Sequence, residues 1–445
     1  MSKKIHLISI GGAVMHNMAL ALHNQGHRVS GSDDEIFEPS KTRLANKGLL
    51  PAQMGWNEAN ITSDLDFVIL GMHAKKDNPE LLKAKELGIT VYSFPEYVYE
   101  QSKDKKRVVI AGSHGKTTTT AIIMHALQHA QMPFDYLVGS QLSGFDTMVS
   151  LSDAPVIIIE GDEYLTSPID LKPKFHWYKA NIALITGIAW DHINVFPTFE
   201  NYVEQFAIFI DDIDKNGALF WFEQDEELQQ LIKNAPCKNM AYDTPVFKLE
   251  NGQICWMEEE EEFPLQVFGK HNLQNMLGAQ LVCEQLGITK AEFLRAMASF
   301  KGTARRLEPI NTTKFAAAFR DFAHAPSKVT ATVNAVCEQY KANQIIAVLE
   351  LHTYSSLRLD FLPHYANSLD GAASKIIYLN PHVFEMKNMP VIPDTAIYET
   401  FGSDTIIVAN KEGLAAKIEA LQQTNNVLLL MSSGNFDGLD FAPLL

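Results

Sequence analysis

The 445-residue chain has no run of about 18 apolar residues and no charged-then-apolar leader, so neither a membrane span nor a signal peptide is expected. Cysteine is scarce. Cys237, Cys255, Cys283 and Cys337 lie far apart, with no C-x-x-C pair and no histidine at zinc spacing. That excludes a disulfide framework and a zinc finger, and leads us to expect reduced thiols in a cytoplasmic protein. Positive charge is also short: 37 lysines and arginines face 53 aspartates and glutamates, a formal net charge of −16 at pH 7. A nucleic-acid partner would want a basic face, so none is expected. An anionic small substrate is compatible with this balance, because a few basic residues and helix N-termini can hold it locally. No internal repeat or low-complexity tract is visible, and the acidic run Glu258–Glu262 reads as a solvated loop or edge.

Against these absences stands one dense signal. Residues 111 to 120 read Ala-Gly-Ser-His-Gly-Lys-Thr-Thr-Thr-Thr, directly after the apolar run Arg107–Ile110 and before Ala121–Met124. A strand that turns through Gly112 and Gly115 into a helix opening with Lys116 and Thr117 is a phosphate cradle. The helix N-terminus adds about half a positive charge and the lysine a whole one, while the threonine hydroxyl suits a Mg²⁺ held beside the phosphates. The spacing departs from G-x-x-x-x-G-K-[ST], since position 111 is alanine. The strand before and the helix after are the context the motif needs, and they predict binding of ATP or a relative.

Three α/β blocks surround this loop. The first opens with a strand over Ile5–Ile10, a Gly11-Gly12 turn and a helix carrying Met15, Met18, Ala19 and Leu22. A second strand at His27–Ser30 closes on Gly31-Ser32-Asp33, with further strands at Phe67–Leu70 and Thr90–Tyr92. The charged Lys103–Arg107 reads as a linker. The second block adds buried strands at Val156–Ile159 and Ile182–Ile185, ending in Glu160–Glu163 and Asp191–Asn194. Ligands sit beyond the carboxyl ends of strands in open parallel sheets, so these polar ends are candidate site residues. The third block, from about 307, shows strands at Ile345–Leu349, Lys375–Tyr378, Thr405–Val408 and Val427–Leu430, with a helix burying Leu414, Ile418 and Leu421.

Glu160 stands where a Mg²⁺ ligand would project, and magnesium takes oxygen donors shared with phosphate and water. His192 follows a buried strand within Trp190-Asp191-His192. Asn272 and Asn275 open an apolar helix, where they either read an adenine edge or cap the helix. Arg305 and Arg306, with Asp321 and His324, begin the third block; an arginine there either reaches a transferring phosphoryl group or is a surface residue. Gly11-Gly12 with Asp33 about 20 residues on is half a dinucleotide fingerprint, suited to a nucleotide diphosphate on the helix N-terminus.

Taken together and in order, Gly112-Ser-His-Gly-Lys-Thr-Thr118, Glu160-Gly-Asp-Glu-Tyr164, Asp191-His192, Gly269-Lys-His-Asn-Leu-Gln-Asn275, Arg305-Arg-Leu-Glu308 and Asp321-Phe-Ala-His-Ala-Pro326 resemble the Mur ligases. The resemblance covers essentially the whole chain and is greatest to the branch acting on UDP-N-acetylmuramate. It implies an α/β fold of three domains: a Rossmann-like UDP-binding domain over 1–104, a P-loop ATPase domain over 105–304, and a Rossmann-like amine-substrate domain over 305–445. It further implies an ADP-forming amide ligase that works through an acyl phosphate in a cytoplasmic, monomeric or weakly oligomeric protein, with ATP and Mg²⁺. Carried over by motif, Gly112, Ser113, His114, Gly115, Lys116, Thr117 and Thr118 cradle the phosphates. Thr117, Glu160 and His192 hold metal. His271, Asn272 and Asn275 face adenine and ribose, while Arg306 and Asp321 reach the nucleotide. Lys116, His192 and Arg306 form the catalytic set. Gly11, Gly12, Ser32, Asp33, Glu163, His324 and Arg358 are the substrate contacts.

Glu163-Tyr164, Lys174-Phe175, Asp321-Phe-Ala-His324 and Met431-Ser-Ser-Gly-Asn-Phe-Asp-Gly438 resemble the members of murein recycling. Those take the tripeptide L-Ala-γ-D-Glu-meso-diaminopimelate as the amine; free L-alanine is the alternative, and a catalytically idle nucleotide-binding relative a third. This chain departs from the family pattern at Asn194, at Gly161, at Ala325-Pro-Ser327, at Phe206–Ile208 where several members carry a modified lysine, and across Leu351–Arg358.

Overall fold

The computed structural model describes residues 2–191, 193, 195–250 and 252–445. His192 and Asn194, singled out above, lie outside the described residues. The chain divides into two compact units: Met1–Ile188 with Phe199–Tyr242 and Gly278–Lys290, and Ala189–Thr198 with Asp243–Leu277 and Ala291–Leu445.

The first unit holds two parallel sheets. β1 (Lys4–Ile8), β2 (Arg28–Ser32), β3 (Phe67–Leu70) and β4 (Val91–Ser93) form one, in the order β2-β1-β3-β4. Strands buried on both faces carry unbroken apolar runs, as Phe67–Leu70 does. The helix Ala13–Asn24 follows β1 and starts at Gly12. Its Asn17 accepts from Met148 N at 3.0 Å, and Gln25 Nε2 donates to Leu151 O at 2.6 Å, joining this sheet to the next.

That next sheet has seven strands: β5 (Lys106–Ala111), β6 (Asp135–Leu137), β7 (Val149–Ser150), β8 (Val156–Glu160), β11 (Ile182–Ile185), β12 (Ala218–Phe222) and β13 (Lys238–Tyr242). A two-stranded ribbon of β9 (Leu165–Ser167) and β10 (Asp170–Pro173) lies outside it. The order β13-β12-β11-β5-β8-β6-β7 puts β5 between β11 and β8, so the loops after all three open side by side. The register aligns Ala111 with Ile185 and Ile110 with Glu160.

The stretch Lys103–Arg107, read as a linker, joins the first sheet's last helix to β5 and is tightly held. The helix Phe94–Ser102 ends there and Lys106 already belongs to β5. Arg107 is 8 % exposed, and its guanidinium donates to Ser102 O and Lys103 O at 2.8 Å, Lys105 O at 3.2 Å, and Tyr178 O and Lys179 O at 3.0 Å. Five carbonyls satisfy the buried charge where a carboxylate is usual.

The second unit carries an antiparallel meander of β14 (Phe247–Glu250), β15 (Gln253–Glu258) and β16 (Glu261–Leu265), with Glu259 at its exposed turn. Its main sheet contains β17 (Glu308–Ile310), β18 (Ala317–Asp321), β19 (Gln344–Glu350), β20 (Ser374–Tyr378), β21 (Ile406–Val408) and β22 (Asn426–Met431), in the order β17-β18-β22-β19-β20-β21. All pairs are parallel except β17 with β18, an antiparallel edge carrying Pro309. The helix Lys411–Ala420 buries Leu414 and Ile418, and Leu421 falls just past its end. Among the described residues the four cysteines are free thiols and no helix is long and apolar enough to cross a membrane.

Candidate active site

In the first unit β5 ends in Gly112-Ser-His-Gly115, and the helix Lys116–His129 starts at Gly115, whose φ of 80° is left-handed. Glycine adopts that conformation without the steric cost a side chain brings. Thr186, just beyond β11, pins the loop: its N–H donates to Ala111 O at 3.1 Å and its hydroxyl to His114 O. Gly112, at φ 121°, leaves no room there, since a Cβ would lie 2.2 Å from Thr186 Oγ1 and 2.8 Å from its nitrogen.

Lys116 Nζ donates to Glu163 Oε2 at 2.7 Å and to Gly112 O at 2.5 Å. Burial alone would lower the lysine pKa; Glu163, with Asp162 and Glu160 beyond it, reverses this and holds it above the ordinary value. Glu163 is 1 % exposed and its other oxygen accepts from Tyr202 OH at 3.2 Å, which also meets Ser113 Oγ at 2.8 Å. Glu163 was expected as a substrate contact. The structure sets it instead behind the phosphate-loop lysine, in a chain of hydrogen bonds from Ser113 through Tyr202 to Lys116.

Thr117 Oγ1 donates to Glu160 Oε1 at 2.7 Å, and Glu160 Oε2 accepts from Gly139 N at 2.9 Å. Two oxygen side chains at the mouth of the loop match the few protein ligands that magnesium takes alongside phosphate and water. Among the described residues no group of three or more His, Cys, Asp or Glu forms a metal cluster. The Thr117–Glu160 pair fits a Mg²⁺ shared with phosphate and water. Thr118 is buried on the same helix turn.

At the other glycine turn, Gly11 N donates to Asp33 Oδ2 at 2.7 Å. A Cβ on Gly11 would lie 2.8 Å from Ile36 and 2.9 Å from that carboxylate, while one on Gly12 would meet only Met15 and the Ser9 carbonyl, at 3.6 Å and more. Asp33 thus props the turn, leaving the first N–H groups of the helix Ala13–Asn24 to face an anion. Ser32 turns its hydroxyl inward to Glu80 Oε2, beside His6 and below the reach of a ligand, both residues being 1 % exposed or less. Its carbonyl is engaged as well, accepting from Ser9 N at 2.9 Å and Ile10 N at 3.0 Å.

Burial pushes the Asp33 carboxyl up to about 6; the Gly11 N–H opposes this and Asp34 adds to it. A carboxyl at the usual 3.8 when unfolded and about 6 when folded takes up protons on folding between those values. Its contribution to stability therefore falls as pH rises from about 4 to about 6. Asp33→Asn keeps an acceptor for Gly11 and cannot ionise. The melting temperature of the variant relative to wild type should climb across that interval and then level off; a flat difference would show that Asp33 titrates normally.

In the second unit Asp321 ends β18, 6 % exposed, and accepts from the N–H groups of Leu307 and Ala323 at 2.6 Å. Burial raises its pKa against Arg306 and those two N–H groups. Arg306 lies 5.1 Å from the Phe322 ring centre and Arg305 5.3 Å, with Arg305 Nη2 donating to Gly434 O at 2.6 Å. Burial, with Arg306 nearby, pushes His271 down to about 4, so the ring is neutral at pH 7. Asn272 and Asn275 are buried on the helix Lys270–Gln285, and Asn272 Nδ2 donates to Phe268 O at 2.8 Å. His324 Nδ1 donates to Phe322 O at 2.7 Å, and burial pushes this ring too down to about 4. Lys328 Nζ donates to Asp191 Oδ2 at 3.2 Å.

The loop Ser432–Gly438 is fixed from below by Glu350, at the end of β19 and 3 % exposed, which accepts from Ser432 Oγ and from Phe436 N at 2.9 Å. Arg358 borders an open cavity of about 250 Å³. Sequence reasoning missed Thr186, Tyr202, Gly139, Glu350 and Lys328. Thr186 and Glu350 directly follow apolar runs, the same local signal that singled out Glu160.

The family described as "Mur ligase family, catalytic domain" matches residues 4–106, and "Mur ligase middle domain" matches residues 110–283. The UDP-N-acetylmuramate–L-alanine ligase of Clostridium kluyveri is 33 % identical over 368 residues, covering 80 % of this chain and 78 % of that one. Its namesake from Sulfurihydrogenibium sp. is 29 % identical over 454 residues, covering 98 % and 96 %. Two solved structures share the fold. A murein peptide ligase from Psychrobacter arcticus has TM-score 0.67 at 22 % identity, covering 98 % and 97 %. The UDP-N-acetylmuramate–alanine ligase from Thermotoga maritima has TM-score 0.71 at 21 % identity, covering 98 % and 96 %. With its phosphate loop, its parallel sheets and these matches, the chain belongs to the Mur ligase family of ATP-dependent amide ligases.

Proposed function

We propose that this ligase joins UDP-N-acetylmuramate to the tripeptide L-Ala-γ-D-Glu-meso-diaminopimelate, converting ATP to ADP and phosphate. The domains are assigned as 1–104 for the UDP-sugar, 105–304 for ATP and 305–445 for the amine, in a cytoplasmic enzyme. The observation that carries the peptide over a free amino acid is the cavity of about 250 Å³ at Arg358, far larger than an alanine methyl requires. Likeness to the Psychrobacter murein peptide ligase along nearly the whole chain is consistent with it. The competing reading, L-alanine as the amine, is favoured by the relatives near 30 % identity, which are UDP-N-acetylmuramate–L-alanine ligases.

The chemistry asks for charge neutralisation and in-line positioning more than for covalent catalysis. The muramate carboxylate attacks the γ-phosphorus of ATP, ADP leaves, and an acyl phosphate forms. The peptide amine then attacks the acyl carbonyl; the tetrahedral adduct loses phosphate and a proton to give the amide. Lys116, kept protonated and aimed by Glu163, balances charge on the transferring phosphoryl group. The loop amides of Gly112–Thr118 and the helix N-terminus hold the remaining phosphate oxygens. Thr117 and Glu160 would hold Mg²⁺, which supplies Lewis-acid neutralisation of the phosphates. His192 is assigned to a second metal contact. His271, Asn272 and Asn275 are assigned to the nucleoside and Arg306 with Asp321 to the phosphates. Neutral His271 presents an acceptor as well as a donor to a base edge.

Phosphate release measured with each substrate combination tests the reading. Tripeptide should release phosphate from ATP only when UDP-N-acetylmuramate is also present, with free L-alanine much poorer. Efficient turnover of L-alanine and none of tripeptide would transfer the assignment to the alanine ligase. No turnover with any amine, despite ATP binding, would mark an idle relative.

A further inference from the structure

His16 and Asn17 lie one turn into the helix Ala13–Asn24, 2 % and 0 % exposed. Counted from Gly11, His16 stands where the third glycine of G-x-G-x-x-G would fall, the position that lets helix and strand pack closely. A buried polar ring there needs partners, and it has four. Nδ1 lies 3.0 Å from Gly12 O and 2.9 Å from Ser40 Oγ, while Nε2 lies 3.0 Å from Asn17 Nδ2 and 3.3 Å from Arg43 Nη1. A carbonyl only accepts and a guanidinium only donates, so Nδ1 carries the proton and Nε2 accepts. Burial lowers the ring's pKa against the Gly12 carbonyl, and Arg43 lowers it further, in keeping with that neutral form.

Asn17 and Arg43 also hold the hairpin between β6 and β7, which belongs to the same unit. Asn17 Oδ1 accepts from Met148 N at 3.0 Å; Arg43 Nη2 donates to Asp146 O, and Nη1 to Gln141 Oε1 at 3.4 Å. Across the hairpin Val138 N donates to Met148 O at 2.9 Å. The next amide, Gly139 N, donates to Glu160 Oε2 at 2.9 Å, and Glu160 accepts from Thr117 on its other oxygen. The approach is close, since a Cβ on Gly139 would lie 3.0 Å from Glu160 Oε1. Hydrogen bonds therefore run without a break from the Gly12 carbonyl, through His16, Asn17 and the hairpin, to Glu160. Between these ends the hairpin is exposed at Gly139–Gln141 and at Ser143-Gly144, so the hydrogen bonds, more than burial, set its course.

We propose that His16, Asn17 and Arg43 are positioning residues that tie the helix start at Gly12 to Glu160, so that a nucleotide-sugar at one end and a Mg²⁺–nucleotide at the other favour each other. This rests on the assignment of the UDP-sugar to the first sheet and names how that site is linked to the phosphate loop. A diphosphate on the first N–H groups of the helix fixes its first turn, and with it the Gly12 carbonyl that orients His16. The fixed turn keeps Asn17 and Arg43 on the hairpin, and the hairpin keeps the Gly139 amide on Glu160. Much of the ordering is then complete before the second ligand arrives, and that ligand binds more tightly. Linkage makes the effect mutual, with one factor for both ligands.

Isothermal titration calorimetry on the full chain reads this factor. The probe is the non-hydrolysable adenylyl imidodiphosphate with Mg²⁺, titrated with and without saturating UDP-N-acetylmuramate. In the wild type the UDP-sugar should lower the probe's Kd by about fivefold or more. In Asn17→Leu the factor should fall towards one. A merely structural role for Asn17 would weaken each ligand bound alone and leave the factor intact, and that result in a folded variant overturns the proposal. So does a wild-type factor of one or below with both ligands bound, which leaves the UDP-sugar reading standing. Absence of any binding of UDP-N-acetylmuramate overturns both. Should Asn17→Leu fail to fold, Arg43→Met, which takes the guanidinium from a half-buried side chain, decides by the same two outcomes.

Discussion

Lys116→Ala is expected to lower kcat/KM for phosphate release by about a thousandfold or more, since it removes a full charge from the transferring phosphoryl group. The fold should lose stability as well, because Glu163 is 1 % exposed and loses the ammonium that donates to it at 2.7 Å. Removing the charged partner of a buried carboxylate costs about 1–3 kcal/mol. The double variant Lys116→Ala, Glu163→Gln should therefore regain melting temperature without regaining activity. Near wild-type turnover in a well-folded Lys116→Ala protein would remove the phosphate loop from the mechanism. An unchanged melting temperature would remove the buried ion pair from the account of stability.

Gly112→Ala should have the second largest effect, and through geometry instead of charge. The added methyl meets Thr186 at 2.2 Å and 2.8 Å, and the backbone φ of 121° is one that alanine resists. Thr186 has no freedom to withdraw, because its N–H is bonded to Ala111 O and its hydroxyl to His114 O. Either β11 shifts or the loop opens, at about 2–4 kcal/mol for overpacking together with a left-handed backbone. Thermal unfolding should move down and ATP affinity should fall with it, as the loop amides lose their common direction. A variant that binds ATP and melts as wild type does would show that the loop and β11 are not interlocked.

Several parallel strands were legible because burial on both faces leaves an unbroken apolar run, while β6, β12, β13 and β18 were not read. Phe67–Leu70 and Ile182–Ile185 were read to the residue. The meander of β14 to β16 was not, since its strands are short and half exposed, and β16 begins within an acidic run. β17 escaped notice because three residues including a proline give no period to read. The candidate site divides in the same way. Lys116, Thr117 and Glu160 announce themselves through local context, a strand end or a helix start. Glu163 meets Lys116 across 47 residues of chain, Tyr202 meets Ser113 across 89 and Thr186 meets His114 across 72, and such pairings leave no mark in the local pattern. Glu163 could be singled out by motif but not assigned its partner.

The guanidinium of Arg107 bears on how the enzyme moves. A single side chain fastened to five carbonyls, at and just past the end of the helix Phe94–Ser102 and on the segment at Tyr178-Lys179, works as a rivet between the half of the first unit built on β1 to β4 and its phosphate-loop half. A swivel at this seam would strip a charged group of all five acceptors at once, so thermal agitation should leave the seam stiff. On the proposed assignment of the first sheet to the UDP-sugar, a substrate lodged there would keep a fixed aim at the phosphate loop without waiting for a hinge to settle. Amide protons around residues 102 to 107 should accordingly be among the slowest of the first unit to exchange with deuterium. Arg107→Lys, with one compact ammonium in place of the planar fork, should quicken that exchange and blur the aim.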